Sequence, residues 1–337
     1  MVVRRARSTS KPIALRSPDG RAALELHPGA GMVATSWTVD GVERLWLPEP
    51  APSFLRRERT GGIPLLFPWA NRLRRDRFEL LGRLVDLRRG ALVHRDEVGR
   101  PMHGLLLRWS RWDRVQVDAR RDRASAELDW GAHRQLASLF PFSFTLRLEW
   151  RLVQGAAPGV EISAEVEAGD EPVPIAFGWH PYVRLPGARA ACGVTALDGV
   201  LRRVPLEDGL PRRRHGALAL DESPTARPLG DASSARRLGR ARIDELCAGA
   251  REGTEVRIDG PKGARVAFQF VRGVRFAQLF APQDTECASV EPMTAPTAAL
   301  SDGAAELPIL GPRQRFSACF RIQVVDPAPK RTARSRR

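Results

Sequence analysis

Cysteine is scarce in this sequence, and its spacing excludes several kinds of site. The chain has 337 residues and four cysteines. No two of them form a CxxC unit, so a zinc knuckle or a thioredoxin-type dithiol has no support. A chain of this length can bury a large hydrophobic core without disulfides or a structural metal. We expect reduced thiols at all four positions, Cys192, Cys247, Cys287 and Cys319.

Long apolar runs are also missing. Hydrophobic residues make up 43% of the chain and charged residues 28%, and no run approaches the ~18 apolar residues that cross a bilayer. The start of the chain is basic but contains no apolar segment of about 7–15 residues, so no signal peptide is evident. The sequence therefore predicts a soluble, globular, cytoplasmic protein with no membrane partner.

Local signatures of the common nucleotide and hydrolase sites are absent. The sequence has no GK[ST] phosphate loop, no G-x-S-x-G elbow and no H-E-x-x-H zinc motif. The segment 29–34, GAGMVA, matches the dinucleotide fingerprint G-x-G-x-x-A. However, the strand-like alternation of Val33, Trp37 and Val39 follows where that fingerprint requires a helix. We therefore expect no cofactor and no metal.

Excess positive charge is concentrated at the two ends of the chain. The formal net charge is +15, of which five charges precede the first acidic residue and five follow the last, leaving +5 for the body. Basic runs mixed with Ser, Pro and Ala are typical of solvated tails. We expect disordered basic tails at 1–15 and 327–337 and no nucleic-acid partner, since nucleic-acid binding would depend on these tails alone.

Alternation of apolar and polar residues with a period of two is abundant. It runs through 144–152 (FTLRLEWRL) and 160–167 (VEISAEVE), which are separated by a segment rich in glycine, and it returns at 266–270 and 316–324. Such segments are typical of half-buried antiparallel strands, and the first two predict a hairpin. No long stretch shows a clean 3.6-residue period. The sequence therefore predicts an all-β fold, a large antiparallel β-sandwich.

The body of the chain shows no shift in composition that would divide it. We therefore expect one domain over residues 16–326. An Arg-rich stretch from Leu201 to Leu238 has few apolar alternations, and we expect it to be a long surface insertion.

Four short segments place polar side chains in apolar surroundings punctuated by glycine and proline. Asn71 is the only asparagine of the chain, and Tyr182 is the only tyrosine. Each polar residue alone has an ordinary explanation, as a surface cation, a hydrogen-bonded core histidine or a solvated loop acid. Together they supply a base, two acids and two hydrogen-bonding groups, which is the composition of a catalytic site. The segments are GGIPLLFPWANR with Asn71 and Arg72, MHG with His103, FGWHPY with His180, and VEPMT with Glu291.

At these residues the sequence resembles the aldose 1-epimerase, or galactose mutarotase-like, family. GGIPLLFPWANRL is similar to the family's substrate-binding segment, and MHG, with Trp109 six residues after His103, is similar to its first histidine segment. IAFGWHPYVRLPG resembles the segment of the catalytic histidine, and SVEPMTAPTAAL resembles that of the catalytic glutamate. RIDEL, with Asp244, lies where the family has a sugar-binding aspartate. The matches occur in family order over roughly residues 20–325.

The resemblance implies a galactose mutarotase-like β-sandwich that interconverts the α and β anomers of a free hexose. Glu291 would be the base that takes the proton of the anomeric hydroxyl, and His180, as an imidazolium, would be the acid that protonates the ring oxygen. These two groups suffice without a metal or a redox cofactor. The resemblance further implies that the sugar is bound by Asn71, Arg72, His103 and Asp244, with Trp179 or Trp69 packed on a C–H face of the ring.

Two other functions remain open from the residues alone. A hexose-6-phosphate mutarotase would add phosphate-binding arginines, for which Arg74, Arg75 and Arg77 are available. The GGIPLLFPW form of the first segment is similar to the branch of the family that includes such enzymes. Those enzymes, however, usually lack the Asn-Arg pair that this sequence has. A non-catalytic carbohydrate-binding module would tolerate loss of Glu291, so the presence of both Glu291 and His180 argues against it. In each case the expected partner is a small-molecule sugar.

Overall fold

A computed structural model describes residues 11–57, 59–197, 201–214, 217–220 and 236–326. Most of the regular structure in these residues is β-strand, and all strand pairs between named strands are antiparallel. The three α-helices have four residues each, and no helix in the described ranges has the length and apolar character needed to cross a membrane. All four cysteines are free and buried, as the sequence predicts.

The strands and helices of the described residues follow one another in chain order. The helices are α1 (Ala51–Phe54), α2 (Arg134–Ala137) and α3 (Ala299–Asp302). The strands are β1 (Ile13–Arg16), β2 (Ala22–His27), β3 (Val33–Val39), β4 (Val42–Glu43), β5 (Leu65–Leu66), β6 (Arg77–Leu80), β7 (Arg83–Asp86), β8 (Arg114–Val117), β9 (Arg123–Asp129), β10 (Phe144–Val153), β11 (Gly159–Ala168), β12 (Val173–Pro174), β13 (Gly178–Trp179), β14 (Tyr182–Arg184), β15 (Gly193–Ala196), β16 (Arg202–Val204), β17 (Leu206–Glu207), β18 (Leu210–Pro211), β19 (Arg213–Arg214), β20 (Ala217–Leu218), β21 (Arg236–Arg237), β22 (Ile243–Ala248), β23 (Glu255–Asp259), β24 (Arg265–Arg272), β25 (Phe276–Ala281), β26 (Cys287–Met293), β27 (Ile309–Leu310) and β28 (Arg315–Val325).

The larger sheet has nine strands in the order β21-β15-β23-β24-β28-β11-β10-β9-β8. Buried and partly exposed residues alternate along β10 and most of β11, because one face of the sheet packs on the core. The register pairs Phe144 with Ala168 and Val153 with Gly159. This confirms the predicted hairpin.

A second sheet of seven strands packs against the first. Its order is β16-β22-β25-β26-β13-β5, and β14 also pairs with β26. The ring of Trp179 in β13 lies 5.0 Å from that of Phe320 in β28, and the ring of Phe177 lies 6.1 Å from that of Phe316. These contacts join the two sheets across one hydrophobic core. The predicted all-β antiparallel sandwich is confirmed.

The described part of the chain begins with a four-stranded sheet in the order β1-β2-β3-β4. Ile13 and Leu15 are buried and alternate with exposed residues, and Ile13 pairs with Leu26. The sheet therefore begins three residues before the boundary at residue 16 that the sequence predicts. The rest of the predicted tails, residues 1–10 and 327–337, lies outside the described residues.

The Arg-rich stretch is more closely integrated than the sequence predicts. β16 pairs with β22 in the seven-stranded sheet, and β21 pairs with β15 in the nine-stranded sheet. Leu201, Val204 and Leu238 are buried. The apolar residues near both ends anchor this stretch in the sandwich, so it is not simply a surface insertion. Residues 215–216 and 221–235 lie outside the described part of the chain.

Candidate active site

The polar residues of interest share one face of the seven-stranded sheet. Residues that lie opposite each other on neighbouring strands point to the same face, and so do alternate residues along a strand. The register places Asp244 opposite Phe280, Phe280 opposite Ser289, and Ser289 opposite Tyr182. It also places Gln278 opposite Glu291, two residues along from Phe280 and Ser289. Strands distant in sequence thus bring these side chains together.

His180 and Glu291 form the centre of this face. Nε2 of His180 lies 3.2 Å from Oε1 of Glu291, and the two side chains are only 5% and 2% exposed. On the other side of the ring, Nδ1 of His180 lies 3.1 Å from Oγ of Ser289. A proton on Nδ1 donated to Ser289 leaves the lone pair of Nε2 directed at Glu291.

Burial changes the protonation of this pair. It lowers the pKa of His180 to about 3, because the imidazolium loses its hydration. Burial also raises the pKa of Glu291 well above its usual value; the negative charge of Asp244 adds to this effect and the positive charge of Arg72 opposes it. Both shifts favour the uncharged pair, in which a neutral imidazole lies beside a protonated carboxyl group, over the ion pair.

Tyr182 completes the surroundings of His180. Its hydroxyl lies 3.0 Å from Nε2 of His180 and 2.7 Å from Oγ1 of Thr60. The phenol and imidazole rings are stacked, with centroids 4.2 Å apart. The unique occurrence of tyrosine marks this segment in the sequence, but nothing in the sequence identifies Thr60 or Ser289 as partners.

Asn71 and Arg72 are held at one side of the site. Asn71 has a left-handed backbone with φ of 57°, a conformation that asparagine adopts more readily than most residues. Nε of Arg72 donates to Oδ2 of Asp96 at 2.9 Å, and NH1 donates to Oδ1 of Asn71 at 3.3 Å. The Asp96 carboxylate is 1% exposed and also accepts from Nε of Arg100 at 3.0 Å. Asp96 therefore fixes the direction of the Arg72 guanidinium.

His103 lies next to the pair formed by His180 and Glu291. Its backbone N–H donates to the carbonyl of Asn71 at 2.9 Å, and its ring lies 5.5 Å from that of His180 in an edge-to-face arrangement. Burial lowers the pKa of His103 well below its usual value, and the nearby positive charge of Arg72 adds to this effect. His103 is therefore a neutral hydrogen-bonding group at neutral pH.

Several buried polar atoms face this site without a partner. Among the described residues, Nδ1 of His103, Oε2 of Glu291 and Oε1 of Gln278 make no hydrogen bond. Unpaired buried polar atoms are rare, and a cluster of them fits a site that a hydroxylated ligand completes. The described residues contain no cluster of three or more His, Cys, Asp or Glu side chains suited to a metal ion.

Asp244 is linked to the site by Gln278, a residue that the sequence analysis did not identify. Nε2 of Gln278 donates to Oδ1 of Asp244 at 2.6 Å, and Gln278 lies opposite Glu291 in the sheet. Asp244 is half-buried, and its Oδ2 lies 3.9 Å from NH2 of Arg242. The signal for Gln278 is its position two residues before Phe280 in an otherwise apolar strand, FAQLFA.

The structure does not bring Trp179 to the site. Trp179 adjoins His180 in the chain, so its side chain points to the opposite face of the sheet, where it is fully buried against Phe320. Trp69 is also fully buried in the core. The ring of Phe280, 5.5 Å from that of His180, is instead the half-buried aromatic surface beside His180 and Glu291.

Solved structures of similar fold cover nearly the whole chain. The Slr1438 protein from Synechocystis sp. PCC 6803 is 21% identical with a TM-score of 0.69, over 96% of this chain and 98% of that one. A galactose mutarotase related enzyme from Lactobacillus acidophilus is 16% identical with a TM-score of 0.71, over 94% and 98%. A GalM/aldose epimerase homologue from C. elegans is 14% identical with a TM-score of 0.72, over 95% and 100%. The fold is therefore galactose mutarotase-like.

Comparison with protein families gives a more specific result. No curated protein sequence matches the chain significantly. The family model described as aldose 1-epimerase matches residues 15–283. This range contains Asn71, Arg72, His103, His180 and Asp244, and it ends shortly before Glu291. Because the match spans most of the chain, the protein belongs to the aldose 1-epimerase family.

Proposed function

We propose that the protein is a mutarotase that interconverts the α and β anomers of a free hexose. The contact of 3.2 Å between Nε2 of His180 and Oε1 of Glu291 carries this proposal. Ring opening of a hemiacetal needs one group that accepts a proton and one that donates a proton, and this pair holds a single proton between two such groups. Family membership supports the same reaction class.

In the first step, the carboxyl group of Glu291 donates its proton to the ring oxygen while Nε2 of His180 takes the proton of the anomeric hydroxyl. The bond between C1 and the ring oxygen breaks, and C1 becomes an aldehyde. Rotation about the C1–C2 bond exposes the other face of the aldehyde. Return of both protons then closes the ring as the opposite anomer.

This assignment exchanges the two roles of the sequence-based expectation, in which Glu291 takes the proton of the anomeric hydroxyl and His180, as an imidazolium, protonates the ring oxygen. The burial of both side chains favours the neutral pair instead, because two charges away from water are costlier than none. Both arrangements contain the same number of protons, so Glu291 and His180 remain the proposed catalytic residues in either case.

The remaining polar residues are proposed to bind and orient the sugar. Asn71, Arg72 and His103 form one side of the site, and Asp244 forms another. Their unpartnered or half-exposed polar atoms match the several hydroxyls of a hexose. Phe280 takes the place expected for Trp179, as the ring on which a C–H face of the sugar packs.

Polarimetry tests the proposed function directly. Freshly dissolved α-glucose and α-galactose should reach their equilibrium rotation faster with the protein than without it. The Glu291→Gln variant should lose this acceleration, whereas Glu286→Gln, the same change at an exposed position five residues earlier, should keep it. No acceleration of either sugar by the unmodified protein would refute the proposal for these hexoses.

A further inference from the structure

A second cavity, lined by arginines, lies beside the candidate active site. Its volume is about 1060 Å³. None of its lining residues belongs to the sugar-binding set proposed above. Six of them are arginines, namely Arg74, Arg75, Arg100, Arg212, Arg213 and Arg214.

A tight hairpin connects this cavity to Arg72. β17 and β18 pair around Asp208 and Gly209, whose φ values of 51° and 73° are typical of a type I′ turn. A Cβ atom on Gly209 would lie 3.1 Å from NH1 of Arg72, so the turn packs directly on the guanidinium. The hairpin that lines the cavity is therefore in contact with Arg72 of the proposed sugar site.

Asp96 provides a second connection. Its Oδ2 accepts from Nε of Arg72 at 2.9 Å and from Nε of Arg100 at 3.0 Å. Arg72 belongs to the proposed sugar site, and Arg100 lines the cavity. One buried carboxylate thus bonds a guanidinium of the proposed sugar site and a guanidinium of the cavity lining, so the two spaces are neighbours.

Positive charge exceeds negative charge in the cavity lining. Three acidic residues, Glu207, Asp208 and Asp302, accompany the six arginines. Asp302 is shared between Arg74 at 3.0 Å and Arg213 at 3.1 Å. Within the described ranges, neither Arg75 nor Arg214 has a carboxylate partner, although Arg75 donates to the carbonyl of Ser301 at 2.8 Å. The other four arginines pair with the carboxylates of Asp96, Glu207, Asp302 and Glu306. Arg75 and Arg214 therefore supply the positive charge that favours an anionic ligand, and guanidinium groups bind carboxylates especially well.

The size of the cavity indicates a ligand larger than a single small anion. Pockets of about 300–1,000 Å³ hold drug-sized ligands, and this one reaches that upper limit without including the catalytic pair. A phosphate on the same hexose would fill a small part of it.

We propose that the arginine cavity binds the acidic, non-reducing part of an oligosaccharide whose reducing hexose lies over His180 and Glu291. The position of the reducing hexose over His180 and Glu291 rests on the proposed function. The cavity then selects sugars that carry a carboxylate beyond the reacting ring, and it contributes to binding without taking part in proton transfer.

The test compares the anomerisation of cellobiose, its glucuronosyl counterpart (glucuronosyl-glucose), glucose and glucose 6-phosphate. The unmodified protein should have a kcat/KM for glucuronosyl-glucose at least about tenfold above that for cellobiose, as expected for one charge-assisted contact. The double variant Arg75→Ala/Arg214→Ala should lose this preference and keep its rate on glucose. The control Arg114→Ala/Arg120→Ala, which removes two exposed arginines elsewhere, should keep both.

Three results would overturn the inference. They are equal kcat/KM for the acidic and neutral disaccharides, an undiminished preference in the Arg75→Ala/Arg214→Ala variant, and a stronger preference for glucose 6-phosphate than for the acidic disaccharide. Calorimetric titration with glucuronosyl-glucose separates this inference from the proposed function. Binding that depends on Arg75 and Arg214 in a protein that anomerises no sugar would support the cavity assignment and refute the mutarotase.

Discussion

Nε2 of His180 lies 3.2 Å from Oε1 of Glu291 in a place where both side chains are nearly inaccessible to solvent. An ion pair so enclosed would need compensation from several hydrogen bonds. Oε2 of Glu291, however, has no hydrogen-bond partner among the described residues. A neutral pair that shares one proton is consistent with both observations, and it determines how activity should respond to mutation and pH.

Removing the exchangeable proton of Glu291 should abolish the reaction. Glu291→Gln keeps the shape of the side chain, but an amide neither donates nor accepts a proton in this way. We expect kcat to fall at least about 100-fold, the usual lower limit for a general acid or base, with sugar binding largely retained. Polarimetry gives the rate and calorimetry the affinity. More than about a tenth of the original rate would exclude Glu291 from proton transfer.

The pH profile should show a broad plateau. Activity requires one proton on the pair, so it falls at low pH when His180 gains a second proton and at high pH when Glu291 loses the only one. Burial lowers the pKa of His180 to about 3 and raises that of Glu291. The acidic limb of kcat/KM should therefore lie near pH 3 in the free enzyme, and the alkaline limb well above the usual pKa of a carboxyl group. An acidic limb near the usual histidine pKa of about 6.5 would contradict the neutral pair.

The two histidines of the site should respond differently to the same substitution. His180→Asn should lower kcat at least about 100-fold, because Nε2 is the proposed proton acceptor. His103→Asn should mainly raise KM, because His103 is proposed only to bind a hydroxyl. Steady-state kinetics on both variants measures the difference. If kcat fell with His103→Asn and stayed unchanged with His180→Asn, the catalytic role would belong to His103.

Tyr182 should act through the position of His180. Tyr182→Phe keeps the ring that stacks on the imidazole at 4.2 Å but removes the hydroxyl 3.0 Å from Nε2. We expect roughly a tenfold loss of kcat, the effect of one buried hydrogen bond. Thr60→Val removes only the outer partner of the same hydroxyl and should cost less. Equal rates for Tyr182→Phe and the unmodified protein would show that the hydroxyl does not position His180.

Asp96 should matter for sugar affinity through Arg72. Asp96→Asn weakens the bond that orients the guanidinium, so we expect KM to rise roughly tenfold while kcat changes little. Combined with Arg72→Ala, it should add little further effect, because the two residues act as one unit. Asp86→Asn, at a carboxylate paired with exposed Arg88, is the matched control. Additive effects of Asp96→Asn and Arg72→Ala would contradict this coupling, and thermal unfolding of each variant verifies that the fold is intact.

Both ends of the chain should be dispensable. The first strand begins at Ile13 and the last ends at Val325. Deletion of residues 1–11 and 328–337 therefore leaves every strand of the described residues complete, and we expect an unchanged Tm and rate. A large drop in either quantity would show that the ends contribute to the domain.

The fold could be predicted from local patterns, because each strand needs only its own alternation. Phe144 to Leu152 shows this clearly, since every second residue is apolar and those residues are the buried ones. Strand alternation also predicts that Trp179 points away from the site, because consecutive strand residues such as Trp179 and His180 point to opposite faces. The Arg-rich stretch was harder to predict, since its anchoring depends on a few leucines and valines within a basic segment.

The convergence of the site could not be read from local patterns. Asp244, Glu291 and Tyr182 meet because β22, β25, β26 and β14 are neighbours in one register. That register follows from the packing of the whole sandwich. The protonation of His180 and Glu291 was equally inaccessible, since it depends on burial that only the assembled sheets produce.

The consecutive positions of Trp179 and His180 have a consequence for engineering. One peptide unit joins the indole that packs on Phe320 to the imidazole at the reacting centre. Because protein interiors are close-packed and transmit displacement, substitutions introduced beneath β13 to raise thermostability would also move the imidazole and alter turnover. Stabilising changes are better placed in the separate two-stranded hairpin of β6 and β7, which carries none of the proposed catalytic groups.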